Sequence, residues 1–262
     1  MQDPIISNWL PAPVEPIEAS ASDVHLWRVP IDVEASYVDC LHRLLSHDEK
    51  ERASRYHFER DRGRFIAARG VLRILIGRYL STAPDKLSFE YGPNGKPFLS
   101  GFKTDLHFNV SHSHGLALIG FSLGHRIGVD VESVDHSLDV ESIASRFFSD
   151  QEVSALMALP PDQRRKAFFA CWTRKEAYIK ARGEGLSFSL KDFSVSVAPS
   201  DAPALLNVRQ EPGETARWRY LPIDAGSSYA AAAAVESEVS PRTRYWQFRH
   251  ENLSNNLNCV GA

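Results

Sequence analysis

Twice along this chain a serine is followed three residues later by a glutamate at the head of a helix-forming stretch, and this doubling constrains the fold most. Ser46 with Glu49, and Ser149 with Glu152, each offer the hydroxyl and carboxylate that satisfy orphan amides at a helix start. After the first pair, Phe65, Ala68, Leu72, Leu75, Ile76 and Tyr79 recur at spacings of three and four, which predicts a helix with one apolar face. Arg62, Arg69 and Arg73 fall on a separate polar stripe. After the second pair, the Pro160-Pro161 break opens a long helix from about 161 to 182, stopped by Gly183. Short alternating strands follow in both halves. In the first they are LSFEY, a turn at GPNGKP and the hairpin HFNVSHSHGLALIGFS; in the second, FSVSV, WRYLPID and SSYAAAAAVE.

The expected fold class is therefore α+β, with two pseudo-symmetric subdomains, each a small antiparallel sheet with packed helices. The expected organisation is a Pro-rich N-terminal arm at 1–23, an N-terminal subdomain at 24–124, a C-terminal subdomain at 125–238, and a surface tail at 239–262. No sequence-level repeat accompanies the doubling.

At 262 residues, 43% of them hydrophobic, the chain has enough apolar surface for a packed interior. Its longest apolar runs fall short of the roughly 20 residues that a membrane-spanning helix needs. The N-terminus lacks a basic region and carries prolines at 4, 11, 13 and 16, so no signal peptide is expected and the cytoplasm is the expected location. Cys40, Cys171 and Cys259 show no metal-binding spacing and are expected to be free thiols, with Cys171 buried in FFACW. A net charge of −3 argues against a general nucleic-acid coat. Between Lys50 and Arg78, however, nine basic residues face three acidic ones, a local excess that asks for an anionic partner.

Three groups of residues carry chemistry. In IGVDVESV, Asp130 and Glu132 point to one side of a strand about 7 Å apart, within reach of one hard cation. Ile127, Val129 and Val131 on the other side predict an internal strand; a solvated strand face is the alternative. On the long helix, Glu176 shares the spacing of Trp172 and Ile179, between Lys175 and Lys180, at the edge of a side that Phe168 and Trp172 turn into the core. Ser111 to His114 offer polar groups suited to phosphate oxygens, and Gly95-Lys96-Pro97 reads as a turn.

FNVSHS, GVDVE, RFFSDQE and WTRKEAYIKARGEGL, with ERASRYHFERDRGRFIAARGVLR and GKP upstream, resemble in order and spacing the motifs of the 4′-phosphopantetheinyl transferase superfamily, surfactin-synthetase type, over roughly residues 45 to 190. The resemblance implies an enzyme that transfers 4′-phosphopantetheine from coenzyme A to a serine of apo acyl or peptidyl carrier proteins and releases 3′,5′-ADP. It implies Asp130, Glu132 and Glu176 as Mg²⁺ ligands, with Asp130, Glu176 and Lys180 at the reaction centre. It assigns Arg52, Arg64, Lys96, Ser111, His112 and Lys180 to coenzyme A, and Glu176 could also help deprotonate the serine. A monomer is expected because one chain supplies both halves of the motif set, with neither nucleic acid nor membrane as partner. The alternatives are a non-catalytic coenzyme A or carrier-protein binding module and, further off, a Mg²⁺-dependent nuclease.

Overall fold

A computed structural model describes residues 9–13 and 17–250 of the chain. In chain order the elements are β1 (Leu10–Pro11), β2 (Asp23–Pro30), α1 (Ala35–Leu44), α2 (His47–Ser54), α3 (Glu59–Leu80), β3 (Ser88–Tyr91), β4 (Pro97–Ser100), β5 (Leu106–Ser113), β6 (Leu116–Leu123) and β7 (Ile127–Ser133). There follow α4 (Val140–Phe147), α5 (Asp150–Met157), α6 (Pro161–Arg182), β8 (Phe193–Val195), β9 (Leu205–Val208), α7 (Glu214–Arg217), β10 (Trp218–Leu221), β11 (Tyr229–Glu236) and β12 (Arg242–Gln247).

The doubling seen in the sequence is a doubling of topology. One strand, three helices, a small hairpin and two further strands run from β2 to β6, and the same order, with the short α7 added before β10, runs from β7 to β11. In the first half β2 pairs antiparallel with β6 and β6 with β5; in the second, β7 pairs antiparallel with β11 and β11 with β10. The small hairpins are β3/β4 and β8/β9. Leu26, Leu118, Val129, Val131, Ala233 and Val235 belong to one buried cluster, so apolar faces of the two sheets meet each other. The long helices α3 and α6 lie in separate clusters, one per half.

Each capping-box glutamate serves its half twice. Glu49 is 1% exposed; it accepts from the Ser46 amide at 2.9 Å and from Arg73 Nε at 2.6 Å, and it also binds Arg69. Arg73 then donates to the carbonyls of Pro84 (2.8 Å) and Leu87 (3.0 Å), just ahead of β3. In the second half, Glu152 accepts from the Ser149 amide at 2.8 Å and from Lys175 Nζ at 2.6 and 2.7 Å, while Lys175 donates to the carbonyl of Phe193, the first residue of β8, at 2.7 Å. In both, a buried cation on the long helix ties the preceding helix's first turn to the following hairpin. Arg69 and Arg73 therefore do not lie on an outer polar stripe: the helix rotates them inward to a buried carboxylate.

The chain ends depart from the expected organisation. β12 pairs in parallel with β2 from Arg242↔Asp23 to Gln247↔Arg28, so the stretch read as a surface tail closes the first sheet, in the order β1-β12-β2-β6-β5. Trp246 packs near Trp27 at 6.0 Å between ring centroids, and Arg242 forms a two-bond pair with Asp23 at 2.6 and 2.9 Å. The first sheet is thereby mixed rather than purely antiparallel. Leu10 and Pro11 of the arm pair with β12, where proline's missing amide costs nothing on an outer strand, and Ile17 is buried. Cys40 is disulfide-bonded rather than free, Cys171 is free and buried, and Cys259 lies outside the described residues.

Candidate active site

β7 ends its sheet, in the order β10-β11-β7, so it is not the internal strand that its apolar residues suggested. Its free edge is satisfied by side chains of β5 instead. Asn109 Oδ1 accepts from the Val129 amide at 2.9 Å, and Ser113 Oγ accepts from the Ser133 amide at 3.1 Å. Between them Ser111 Oγ donates to Asp130 Oδ1 at 2.8 Å. Three alternate residues of the FNVSHS motif thus replace a backbone ladder and join the two halves. On its other side β7 lies hard against α6: a Cβ on Gly128 would stand 2.1 Å from the Ala177 carbonyl oxygen, so only glycine fits there.

This contact brings the acidic residues to α6. Asp130 is 1% exposed; its Oδ1 accepts from Lys180 Nζ at 2.6 Å, and its Oδ2 is buried without a partner. Lys180 also donates to Ser111 Oγ at 3.0 Å. Burial and then the Asp130 charge push the Glu132 carboxyl up to about 7, and the same two causes raise Glu176. Burial opposes the Lys180 ammonium, but Asp130, Glu176 and Glu132 outweigh it and raise its pKa. Glu176 and Lys180 line a cavity of about 470 Å³ with Asn94, Gly95 and Lys96 of the first half.

The expected coenzyme A residues separate into two groups. The pKa of His112 is lowered, first by the protein packed about it and then by Lys180, Arg52 and Arg64, so these three cations share the neighbourhood of His112. Arg52 is exposed, with its guanidinium 5.4 Å from the Phe65 ring centroid, and Arg64 is held by Asp32. Lys96 behaves differently. Its ammonium faces the carbonyls of Lys180 (2.5 Å), Ile127 (3.4 Å) and Ala181 (3.4 Å), and burial lowers it to about 8. It clamps the end of α6 to the first half. Lys175, grouped with Lys180 by sequence, is 0% exposed and belongs to Glu152. The sequence reading missed Asn109 and Asp32, and it grouped Ser113 with the phosphate-binding Ser111 to His114, whereas its Oγ accepts from the Ser133 amide; the strict alternation of FNVSHS was the available signal for Asn109 and Ser113.

Among the described residues no three His, Cys, Asp or Glu side chains converge tightly enough to hold a metal ion, and Lys180 supplies the positive charge beside Asp130. The donor set still fits a hard cation. Among the described residues Asp130 Oδ2 is an orphaned buried acceptor, the Asp130 charge disfavours those of Glu132 and Glu176, and all three carboxylates are the oxygen ligands Mg²⁺ takes.

Fold and site together describe a two-half α+β chain whose halves meet at an acidic cluster flanked by cations. A family model described as the 4′-phosphopantetheinyl transferase superfamily matches residues 126–234, and one described as 4′-phosphopantetheinyl transferase, N-terminal, matches 32–121. The chain is 37% identical over 243 residues to the 4′-phosphopantetheinyl transferase HetI of Nostoc sp. (strain PCC 7120), covering 92% of this chain and 98% of that one. It is 33% identical over 151 residues to the 4′-phosphopantetheinyl transferase Sfp of Bacillus subtilis (strain 168), covering 58% and 66% respectively. The chain belongs to the 4′-phosphopantetheinyl transferase superfamily.

Proposed function

We propose that this chain transfers the 4′-phosphopantetheine of coenzyme A to a serine of apo acyl or peptidyl carrier proteins, with Mg²⁺ held by Asp130, Glu132 and Glu176. The observation that carries the reading is the Ser111–Asp130–Lys180 cluster, with Glu132 and Glu176 beside it and Arg52, Arg64 and His112 at its flank.

In this reading the serine Oγ attacks the pantetheine-bearing phosphorus, the bond from that phosphorus to the bridging oxygen breaks, and 3′,5′-ADP leaves with the electron pair. When bound, the cation supplies positive charge to the pyrophosphate. Lys180, fixed by Asp130 and Ser111, adds a preorganised positive charge where negative charge develops on the departing phosphate. Glu176, which lines the open cavity, is the carboxylate best placed to take the serine proton. Arg52, Arg64, Ser111 and His112 hold the nucleotide and phosphate end, and the local basic excess suits both coenzyme A and an acidic carrier. Lys96 contributes by holding α6 in place. A monomer is sufficient, since β5 of one half and β7 and α6 of the other complete the cleft.

The test is chromatographic detection of 3′,5′-ADP. Its release from coenzyme A should require an apo carrier and Mg²⁺, and should cease when the carrier serine is replaced by alanine. Release with no carrier present would contradict the proposed acceptor.

A further inference from the structure

The Asp32 carboxylate holds the Arg64 guanidinium by two near-parallel bonds, Nε to Oδ1 at 2.6 Å and Nη2 to Oδ2 at 2.8 Å. We propose that Asp32 is a positioning residue for coenzyme A, fixing Arg64 in the orientation in which it meets a phosphate of the substrate. The inference rests on the role given to Arg64 above.

The pair uses one edge of the guanidinium and, among the described residues, leaves Nη1 with a distant anion, Asp61 Oδ1 at 3.8 Å. That remaining edge keeps donors for a phosphate. Arg64 also lies close enough to His112 to depress its pKa, alongside Arg52 and Lys180, so the fixed guanidinium belongs to the same cationic neighbourhood.

The seat of the carboxylate is built where the segment after β2 meets the β5–β6 turn. The Ile31 amide donates to the Gly115 carbonyl at 2.9 Å, which pins the segment after β2 to the β5–β6 turn. A Cβ on Gly115 would stand 2.5 Å from Asp32 Oδ2 and 3.1 Å from its Cγ, so the carboxylate occupies space that exists because residue 115 has no side chain. The Arg64 bond lowers the pKa of Asp32, whose side chain is 55% exposed. An exposed ion pair of long side chains ordinarily gains little, because ordering the arginine costs rotamer freedom. Here the fold orders both partners before any ligand arrives, so binding does not have to.

Asp32 exerts two opposing effects on a polyanion. Its charge repels the phosphate, while its geometry prepares the arginine. The proposal states that geometry prevails, and the two are separable by experiment. Steady-state KM for coenzyme A, KM for the carrier, and kcat are measured for Asp32→Asn, Gly115→Ala, Arg64→Ala and the double variant Asp32→Asn/Arg64→Ala. Asp32→Asn should raise the coenzyme A KM about tenfold, with kcat and the carrier KM unchanged. Gly115→Ala, which keeps the charge and displaces the carboxylate, should move it in the same direction. In the Arg64→Ala background Asp32→Asn should add nothing. If Arg64→Ala raises the KM while Asp32→Asn leaves it unchanged or lowers it, the positioning role is overturned and that of Arg64 stands. A wild-type KM in Arg64→Ala overturns the role of Arg64 and the proposal with it.

Discussion

Lys175 and Lys180 sit on the same helix within five residues, and the fold assigns them opposite duties. Replacing Lys175 by methionine removes three charge-assisted bonds, two to Glu152 (2.6 and 2.7 Å) and one to the Phe193 carbonyl (2.7 Å), and an ammonium 4.1 Å from the Phe193 ring centroid. Glu152 keeps its bonds from the Ser149 and Val195 amides, but it is 1% exposed and loses its Lys175 ion pair. Breaking a buried pair from one side costs about 3–5 kcal/mol, because the surviving charge stays desolvated. In a protein of this size that lowers Tm by on the order of 10 °C. Glu152→Gln in the same chain removes the stranded charge while keeping an acceptor, so the double variant should recover about half the loss. Differential scanning calorimetry, with urea unfolding as the second probe, reads both. Folded Lys175→Met should retain the wild-type KM for coenzyme A. A loss below about 1 kcal/mol, or a double variant no better than the single, would refute the account of α6 as anchored through Glu152.

Two further outcomes follow from the first sheet. His25 is buried and neutral: burial holds its pKa at about 4, with Asp23 favouring the proton, Arg244 and Arg242 opposing it, and Tyr79 bonding Nδ1 at 2.7 Å. Its folded pKa lies below the unfolded value of about 6.5, so its contribution is complete above that pH and is lost as pH falls from 6.5 toward 4. The loss approaches about 3 kcal/mol. Urea unfolding between pH 7.5 and 4.5 should show this slope and His25→Gln should flatten it; an equal slope in both proteins would show that His25 does not carry it. Ending the chain after Glu238 removes β12 and bares the edge of β2, so the shortened protein should aggregate or fail to fold; a soluble product with wild-type Tm would mean that β12 adds nothing.

Much of this architecture was legible because local signals and tertiary packing agree. Both capping boxes form, the helix read from about 161 to 182 spans Pro161–Arg182, and Gly183 ends it at φ 79°. The strand carrying Asp130 and Glu132 was legible from its alternation. Periodicity failed where charge is buried. Arg69, Arg73 and Lys175 carry the sequence signature of a solvated face, and only the fold reveals that capping-box glutamates wait opposite them. β12 was illegible for another reason: RTRYWQ has a weak alternation, and its partner lies more than 200 residues away in sequence. Lys96 reads as a phosphate ligand by resemblance, whereas its ammonium meets three carbonyls across the subdomain boundary. Asp32 had no motif at all, since its role depends on a glycine in a distant turn.

The central claim is that the Asp130 cluster transfers phosphopantetheine to a carrier serine. Intact-mass spectrometry tests it most directly, on an apo carrier protein incubated with this chain, coenzyme A and Mg²⁺. The account predicts a gain of one phosphopantetheine, abolished by EDTA and by Asp130→Ala. Acyl and peptidyl apo carriers that all stay unmodified, while the chain still binds coenzyme A, would contradict it and leave a binding module in its place.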